Sequence, residues 1–117
     1  MEINLLKNKN NINLESYGKN KFVVSGKEFN NPILILKDSV IEKKKLRFKD
    51  VKKKFLNEII KKYKLDFLIL GSNKIDSNLF YKKDSNIELM PTDAAVRTIN
   101  ILFSENRNVG ALLFPIN

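Results

Sequence analysis

The chain has 117 residues, a length typical of a single domain, and 43% of them are hydrophobic, as in ordinary globular proteins. It has no Cys and no His, which excludes disulfides, thiolate zinc sites, cysteine nucleophiles, histidine metal sites and a Ser–His–Asp triad. Its formal net charge is +9, so an anionic partner has to be considered.

We interpret residues 1–117 as one domain. The first part of the chain has the pattern of a β meander. Residues 1–13 are polar and rich in Asn, and we expect them to be loosely held. We see no apolar run long enough for a signal peptide or a membrane span, so we expect a cytoplasmic protein. Strands are predicted at Phe22–Val24, Glu28–Phe29, Ile33–Leu36 and Val40–Glu42.

Helical periodicity follows over residues 48–63. Apolar residues recur at every fourth position, at Val51, Phe55, Ile59 and Tyr63. Asp50 in the first turn and Lys61 in the last suit the helix dipole. The pattern predicts an amphipathic helix whose lysines face outward.

The positive charge is concentrated around this helix. Residues 43–64 contain ten Lys, Arg47 and two acidic residues, so they carry +9 and the rest of the chain is neutral. The lysines are either a solvated helix face, partly explained by the Lys, Asn and Ile bias of an AT-rich genome, or a surface for a partner. Nucleic acid is the less favoured partner, because Arg is scarce and the nearby aromatic residues fall on the apolar face. The candidate partner surface comprises Lys49, Lys53, Lys54, Lys61, Lys62 and Arg107.

The second half of the chain, residues 66–115, alternates strands with helices. Strands are predicted at Asp66–Leu70, Ile87–Met90 and Val109–Phe114, and helices from Asp76 or Ser77 to Lys82 and from an N-cap at Thr92 or Asp93 to the turn at Asn106–Asn108. This spacing predicts a βαβαβ unit with right-handed crossovers and parallel strand pairing, so the fold class is α/β. On the last helix, we expect Arg97 to pair with Asp93 one turn earlier.

The most favourable place for a small-molecule site follows from that topology. Ligands of open α/β sheets bind beyond the carboxyl ends of parallel strands, near helix N-termini that attract anions. The candidate ligand-binding residues there are Gly71, Ser72, Asn73, Lys74, Thr92, Asp93 and Arg97. A structural turn is the alternative interpretation, because neither GxGxxG nor GxxxxGK[ST] is present.

These residues do not form a catalytic motif. Ser72 could act as a nucleophile and Asp93 as a base, but the sequence shows no base partner for Ser72, and Asp93 has a capping role. We therefore expect no enzymatic activity, no cofactor and no metal site.

The last predicted helix and the start of the strand after it resemble a segment of a known protein family. Thr92–Ala111 reads TDAAVRTINILFSENRNVGA. It resembles a small domain family that includes the mitochondrial NADH dehydrogenase alpha-subcomplex assembly factor 3, an adipogenesis-associated protein and uncharacterised bacterial and archaeal proteins. That family's helix reads approximately Asp-Thr-x-Ala-Ala-x-x-Thr-Tyr-Asn-x-Leu, then Glu-x-Arg-x-Val-Ala-Ala. Further segments match in order, over about residues 12–115, at Tyr17–Gly18, Phe22–Gly26, Ile33–Leu36 and Leu68–Gly71.

The resemblance implies a three-layer α/β domain with a mixed central sheet, no established enzymatic activity, and a role in assembling membrane or respiratory complexes. Three departures bear on an inherited ligand site: Gly71–Asn73 replaces Gly-Thr-Gly, Ile99 replaces Tyr, and Thr92–Asp93 reverses Asp-Thr. We therefore expect a protein-interaction or assembly factor with an unidentified protein partner. The alternatives are a small-ligand or anion-binding domain or unrecognised enzyme, and nucleic-acid binding through residues 43–64.

Overall fold

A computed structural model of the chain describes residues 5–7, 14–18, 21–73 and 86–115. The strands among them are β1 (Leu5–Lys7), β2 (Leu14–Gly18), β3 (Lys21–Val24), β4 (Lys27–Phe29), β5 (Ile33–Leu36), β6 (Ser39–Glu42), β7 (Leu68–Gly71), β8 (Ile87–Met90) and β9 (Gly110–Leu113). The helices are α1 (Lys53–Tyr63), α2 (Thr92–Ser104) and a 3₁₀ helix at Phe48–Asp50. The helix predicted from Asp76 or Ser77 to Lys82 lies outside the described residues.

The larger sheet has six strands in the order β1-β6-β5-β9-β7-β8. β7 pairs in parallel with β8 and β9, whereas β5 pairs antiparallel with β6 and β9. The predicted mixed central sheet and the parallel pairing in the second half are thus confirmed. β5, β7 and β9 are buried at every position, because both faces of these apolar strands are covered.

The strands of the predicted meander are present, but they divide between two sheets. β2, β3 and β4 form a separate three-stranded antiparallel sheet, whereas β5 and β6 belong to the central sheet. The chain leaves one sheet for the other at residues 30–32, where Pro32 has no backbone N–H to continue a ladder. Local turn signals in the sequence predict the hairpins. The division of the strands between two sheets depends on long-range strand pairing.

The structure describes Leu5–Lys7 within the stretch that the sequence predicts to be loosely held. These residues form β1, an edge strand in which Leu5 pairs with Ile41 and Leu6 with Val40. The other residues of this stretch lie outside the described residues.

The central sheet is the middle of three layers, as the fold class predicts. One face packs against α2 and the small sheet, in a cluster that includes Phe22, Phe29, Ile35, Ile69, Ile99, Phe103 and Leu113. The other face packs against α1, in a cluster that includes Leu34, Leu36, Leu56, Ile59, Leu68, Leu70 and Leu112. Successive residues of each central strand face opposite layers, so every position of these strands has to be apolar.

The helix predicted over residues 48–63 is divided in two. The 3₁₀ helix contains Asp50, and α1 begins only at Lys53 after an extended Val51 and Lys52. Val51 is buried in the α1-side cluster although it precedes the helix, because the extended backbone carries its branched side chain into the core. Asp50 consequently forms an ion pair with Arg47 and does not lie in the first turn of α1.

Candidate functional site

A cleft of about 770 Å³ opens at the carboxyl ends of β7 and β9. This is the edge of the sheet at which the sequence predicts a ligand. The cleft is lined by Asn30, Pro32, Leu46, Arg47, Phe48, Lys49, Ser72, Asn73, Phe114 and Pro115. Two of the predicted ligand-binding residues, Ser72 and Asn73, therefore lie in its wall, and Lys74 lies outside the described residues.

Gly71 is the last residue of β7 and marks a close approach between this strand and α2. A Cβ atom at this position would lie 2.7 Å from the Cβ of Ala95 and 2.8 Å from Cδ2 of Leu113. Glycine is therefore required here by helix–sheet packing and not by a turn. The loop that lines the cleft begins one residue later, at Ser72.

Ser72 lies at the base of the cleft and is only 1% exposed. Its backbone N–H donates to the carbonyl oxygen of Met90 at 3.1 Å, which ties the loop to the end of β8. A serine nucleophile needs a base within hydrogen-bonding distance, yet the described residues that line this cleft include no carboxylate. The geometry therefore places Ser72 in the lining of the cleft.

Asn73 and Thr92 connect the cleft to the N-terminus of α2. The Oδ1 atom of Asn73 accepts a hydrogen bond from the backbone N–H of Thr92 at 3.0 Å. The Thr92 hydroxyl is fully buried and donates to the carbonyl oxygen of Phe114 at 2.8 Å. Two chain segments that follow β7 and β9 are thus attached to the same residue.

The predicted N-cap of α2 is wrong. The helix begins with Pro91 as its N-cap, and Thr92 is the first helical residue. The Asn73 side chain takes over the capping function from outside the helix, because it satisfies one of the unpaired N–H groups at the helix start. A bound anion at this helix end would have to compete with Asn73 for that N–H group.

Asp93 and Arg97 form the predicted ion pair on α2. Their closest oxygen and nitrogen atoms are 3.8 Å apart, and both side chains are substantially exposed. The Oδ1 atom of Asp93 also accepts a hydrogen bond from the N–H of Ala94 at 2.9 Å. Neither residue lines the cleft, so the structure does not bring them together with Ser72 and Asn73 in one wall.

The opposite wall of the cleft comes from residues that sequence reasoning did not assign to a ligand site. Arg47 and Lys49 flank Phe48, whose ring packs edge-on against Phe114 with 5.5 Å between centroids and 85° between planes. Arg47 contacts Asp50 through Nε at 3.5 Å. The signal in the sequence was the alternation of cation, aromatic residue and cation at 47–49, which helical periodicity obscured.

The residues of the predicted partner surface are all exposed. Lys53 and Lys54 lie in the first turn of α1, Lys61 and Lys62 lie in its last turn, and Lys49 precedes the helix and lines the cleft.

Arg107 reaches the same end of α1 through the turn after α2. In that turn, Nδ2 of Asn108 donates to the carbonyl oxygen of Lys64 at 2.7 Å, and Asp66 donates its N–H to the Asn108 carbonyl at 2.9 Å. The Arg107 guanidinium lies 6.0 Å from the centroid of the Phe67 ring. The six cations thus extend from the cleft along α1 to this turn.

Two further properties concern the described part of the chain. Neither α1 nor α2 is long and apolar enough to cross a bilayer. No group of three acidic side chains in residues 21–73 and 86–115 is arranged to hold a metal ion.

Comparisons with known proteins agree with this fold. The 13 kDa major membrane protein of Francisella tularensis subsp. holarctica (strain LVS) is 25% identical over 108 residues, which make up 85% of this chain and 87% of that protein. A crystal structure of a Bordetella parapertussis protein superposes with a TM-score of 0.72 at 20% identity, covering 92% of this chain and 98% of that one. An outer membrane protein from Bartonella henselae has a TM-score of 0.69 at 21% identity, with the same coverage.

The solved structures confirm the α/β architecture, since they share the fold over nearly the whole chain. The family model described as "Protein of unknown function (DUF498/DUF598)" matches residues 14–114. The resemblance found at Thr92–Ala111 to a small α/β domain family is thereby confirmed. Because this match spans most of its sequence, the chain belongs to the DUF498/DUF598 family of proteins of unknown function.

Proposed function

We propose that this domain is a non-enzymatic protein-interaction or assembly factor that contacts an acidic partner protein through the exposed face of α1. One observation carries the proposal: residues 43–64 hold the entire positive excess of the chain, and the α1 lysines among them are exposed. A neutral domain with one strongly basic surface favours encounter with an acidic surface in one orientation.

The arrangement of α1 separates its two faces. Leu56 and Ile59 are buried against the central sheet, so the helix cannot rotate without exposing them. Lys53, Asn57 and Lys61 are four residues apart and form an exposed stripe, and the neighbouring stripe of Lys54, Glu58 and Lys62 has two lysines and one acidic residue. The charges are therefore held outward by the packing of the opposite face.

A protein partner is favoured over nucleic acid by the residues between these lysines. Binding to single strands uses exposed aromatic rings on which bases stack. Phe55 and Tyr63 are partly buried against the sheet, and the ammonium group of Lys62 lies 5.4 Å from the Tyr63 ring centroid. The α1 surface offers point charges to carboxylates and little aromatic surface to bases.

The family resemblance supports assembly of a membrane or respiratory complex as the biological setting. Two of the similar proteins described above are named as membrane proteins, and the family resembled in the sequence includes an assembly factor for a respiratory complex. A basic domain of this kind would contact an acidic subunit of such a complex. The absence of His and Cys supports a role without catalysis.

The test is comparative capture from native lysate at low salt with crosslinking. Neutralising Lys53, Lys54, Lys61 and Lys62 to Gln lowers the formal charge from +9 to +5. We expect the unmodified protein to capture a reproducible acidic protein and this variant to lose it, because the four charges supply the complementary surface. Quantitative mass spectrometry of the captured proteins measures the difference.

A matched control separates the surface from the net charge. Lys21→Glu combined with Lys27→Glu also lowers the charge from +9 to +5, but on the small sheet, which lies on the other side of the central sheet from α1. The control should capture the same partner as the unmodified protein. Equal loss in both variants, or recovery of ribosomal and assorted acidic proteins alone, would contradict the proposal.

Other anionic partners give distinct results in the same experiment. If nucleic acid is the partner, nuclease treatment abolishes capture and the affinity falls steeply with salt. If an anionic membrane is the partner, the purified protein sediments with phosphatidylglycerol vesicles and the four-Gln variant does not. Either result would replace the protein partner in the proposal.

A further inference from the structure

We infer that the cleft at the carboxyl ends of β7 and β9 binds a small organic anion, whose head group contacts Arg47 and Lys49 and whose apolar body contacts Phe48 and Phe114. This goes beyond the proposed partner surface, because it assigns a small ligand to a cleft that involves residues ahead of α1 and shares only Lys49 with that surface.

The size and place of the cleft suit such a ligand. Small-molecule pockets typically measure roughly 300–1,000 Å³, and this cleft measures about 770 Å³. It lies at the edge of the sheet where α/β proteins bind ligands, since the parallel strands β7 and β9 both end there.

The charge of the lining selects an anion. Arg47 and Lys49 contribute two positive charges, and none of the described lining residues is a carboxylate. Asp50, which contacts Arg47, engages Nε of the guanidinium. A guanidinium has five N–H donors, so Arg47 can keep this contact and still bind a carboxylate or a phosphate.

The other lining residues favour a ligand that has an apolar body next to its charged head group. The rings of Phe48 and Phe114 line the cleft and pack almost perpendicular to each other. Pro32, Leu46 and Pro115 extend this apolar surface. Inorganic phosphate would leave this apolar surface exposed to water, whereas an acyl or aryl group would cover it.

The polar floor of the cleft is fixed before any ligand arrives. Asn73 is held by its hydrogen bond to the N–H of Thr92, and Thr92 is held by its bond to Phe114. Ser72 is buried beside them. A preorganised wall of this kind costs little conformational entropy on binding.

The test is an NMR titration of the ¹⁵N-labelled full chain, in which the chemical shifts of residues 46–49, 72–73 and 114 are monitored. Octanoate probes a carboxylate head group, and phenyl phosphate probes a phosphate head group. Acetate and inorganic phosphate carry the charge without the apolar body. Octanol carries the apolar body without the charge. We expect saturable shifts with octanoate, phenyl phosphate or both, and affinities at least about tenfold weaker for the truncated and neutral probes, the equivalent of losing one well-formed contact.

The variant Arg47→Gln with Lys49→Gln should weaken binding of the organic anions by about tenfold, because it removes charge-assisted hydrogen bonds. Both side chains are exposed, so the fold should survive, and an unchanged melting temperature checks this. The control, Lys54→Gln with Lys62→Gln, removes two charges from α1 and should leave the affinity unchanged.

Three results would overturn the inference. One is the absence of saturable shifts with both octanoate and phenyl phosphate. Another is binding of inorganic phosphate or octanol as tight as that of the organic anions, because charge or apolar surface alone would then suffice. The third is equal affinity of the cleft variant and the unmodified protein.

Discussion

Gly71→Ala is expected to destabilise the domain by about 1–3 kcal/mol, the usual cost of adding a methyl group to a packed core. The new Cβ would lie 2.7 Å from the Cβ of Ala95 and 2.8 Å from Cδ2 of Leu113. The Leu113 methyl group can rotate away, but the Ala95 Cβ is fixed to the backbone of α2. Relief therefore requires α2 to move away from β7. Urea unfolding monitored by circular dichroism measures the loss of stability.

A double-mutant cycle tests the cause of this loss. Ala95→Gly alone costs about 1 kcal/mol of helix propensity. In combination with Gly71→Ala it removes the clashing atom, so the two effects should not add. Gly110→Ala is the comparison at a second buried glycine, where the nearest atoms are the flexible ends of Leu36 and Leu65 at 2.9 and 3.1 Å. Strict additivity at positions 71 and 95 would show that the contact with α2 does not limit stability.

Phe22→Ala is expected to cost about 3–5 kcal/mol, the range for removing a large aromatic side chain from a core. Phe22 is fully buried, lies opposite Phe29 in the small sheet, and belongs to the cluster formed with α2. Its loss leaves a cavity between the small sheet and α2. Val23→Ala, on the half-buried face of the same strand, is the control and should cost much less.

The shape of the unfolding curve shows whether the small sheet is part of the same cooperative unit. Fluorescence of the native tyrosines and far-ultraviolet circular dichroism should report one coincident transition in Phe22→Ala, shifted to lower denaturant. Two separate transitions would show that β2–β4 unfold independently. In that case the shared core between the small sheet and α2 would contribute little to stability.

The strongest elements of the fold could be predicted from local pattern. Ile87–Met90 forms a strand with the predicted bounds, and Ile33–Leu36 does the same. Both are short runs bounded by turn residues; Ile33–Leu36 is apolar and buried at every position, whereas Ile87–Met90 is interrupted by the exposed Glu88. In the last helix, Ala95, Ile99 and Phe103 recur at every fourth position, and all three are buried.

The errors arose where long-range contacts decide the structure. Val51 fits a helical repeat in sequence, yet its backbone is extended and its side chain enters the core ahead of α1. Leu5 and Leu6 are too few to predict a strand, and β6 supplies the edge with which they pair. Strand pairing across more than thirty residues leaves no signal in a local window.

Only part of the candidate ligand site could be predicted from the sequence, because long-range contacts bring the other part into place. The rule that ligands bind at the carboxyl ends of parallel strands indicates the edge of the sheet where the cleft lies, with Ser72 and Asn73 in its wall. Arg47, Phe48 and Phe114 come from distant segments, and only the folded chain brings them opposite that wall. The hydrogen bond from Thr92 to Asn73 likewise joins residues 19 positions apart.

The central claim is that the exposed face of α1 is covered by a partner in the cell. Lysine footprinting with an N-hydroxysuccinimide ester tests it directly, by comparing each lysine in intact cells and in the purified protein. Lys53, Lys54, Lys61 and Lys62 should react less in cells, whereas Lys21 and Lys27 on the small sheet should react equally in both. Equal reactivity of the α1 lysines in both settings would contradict the claim.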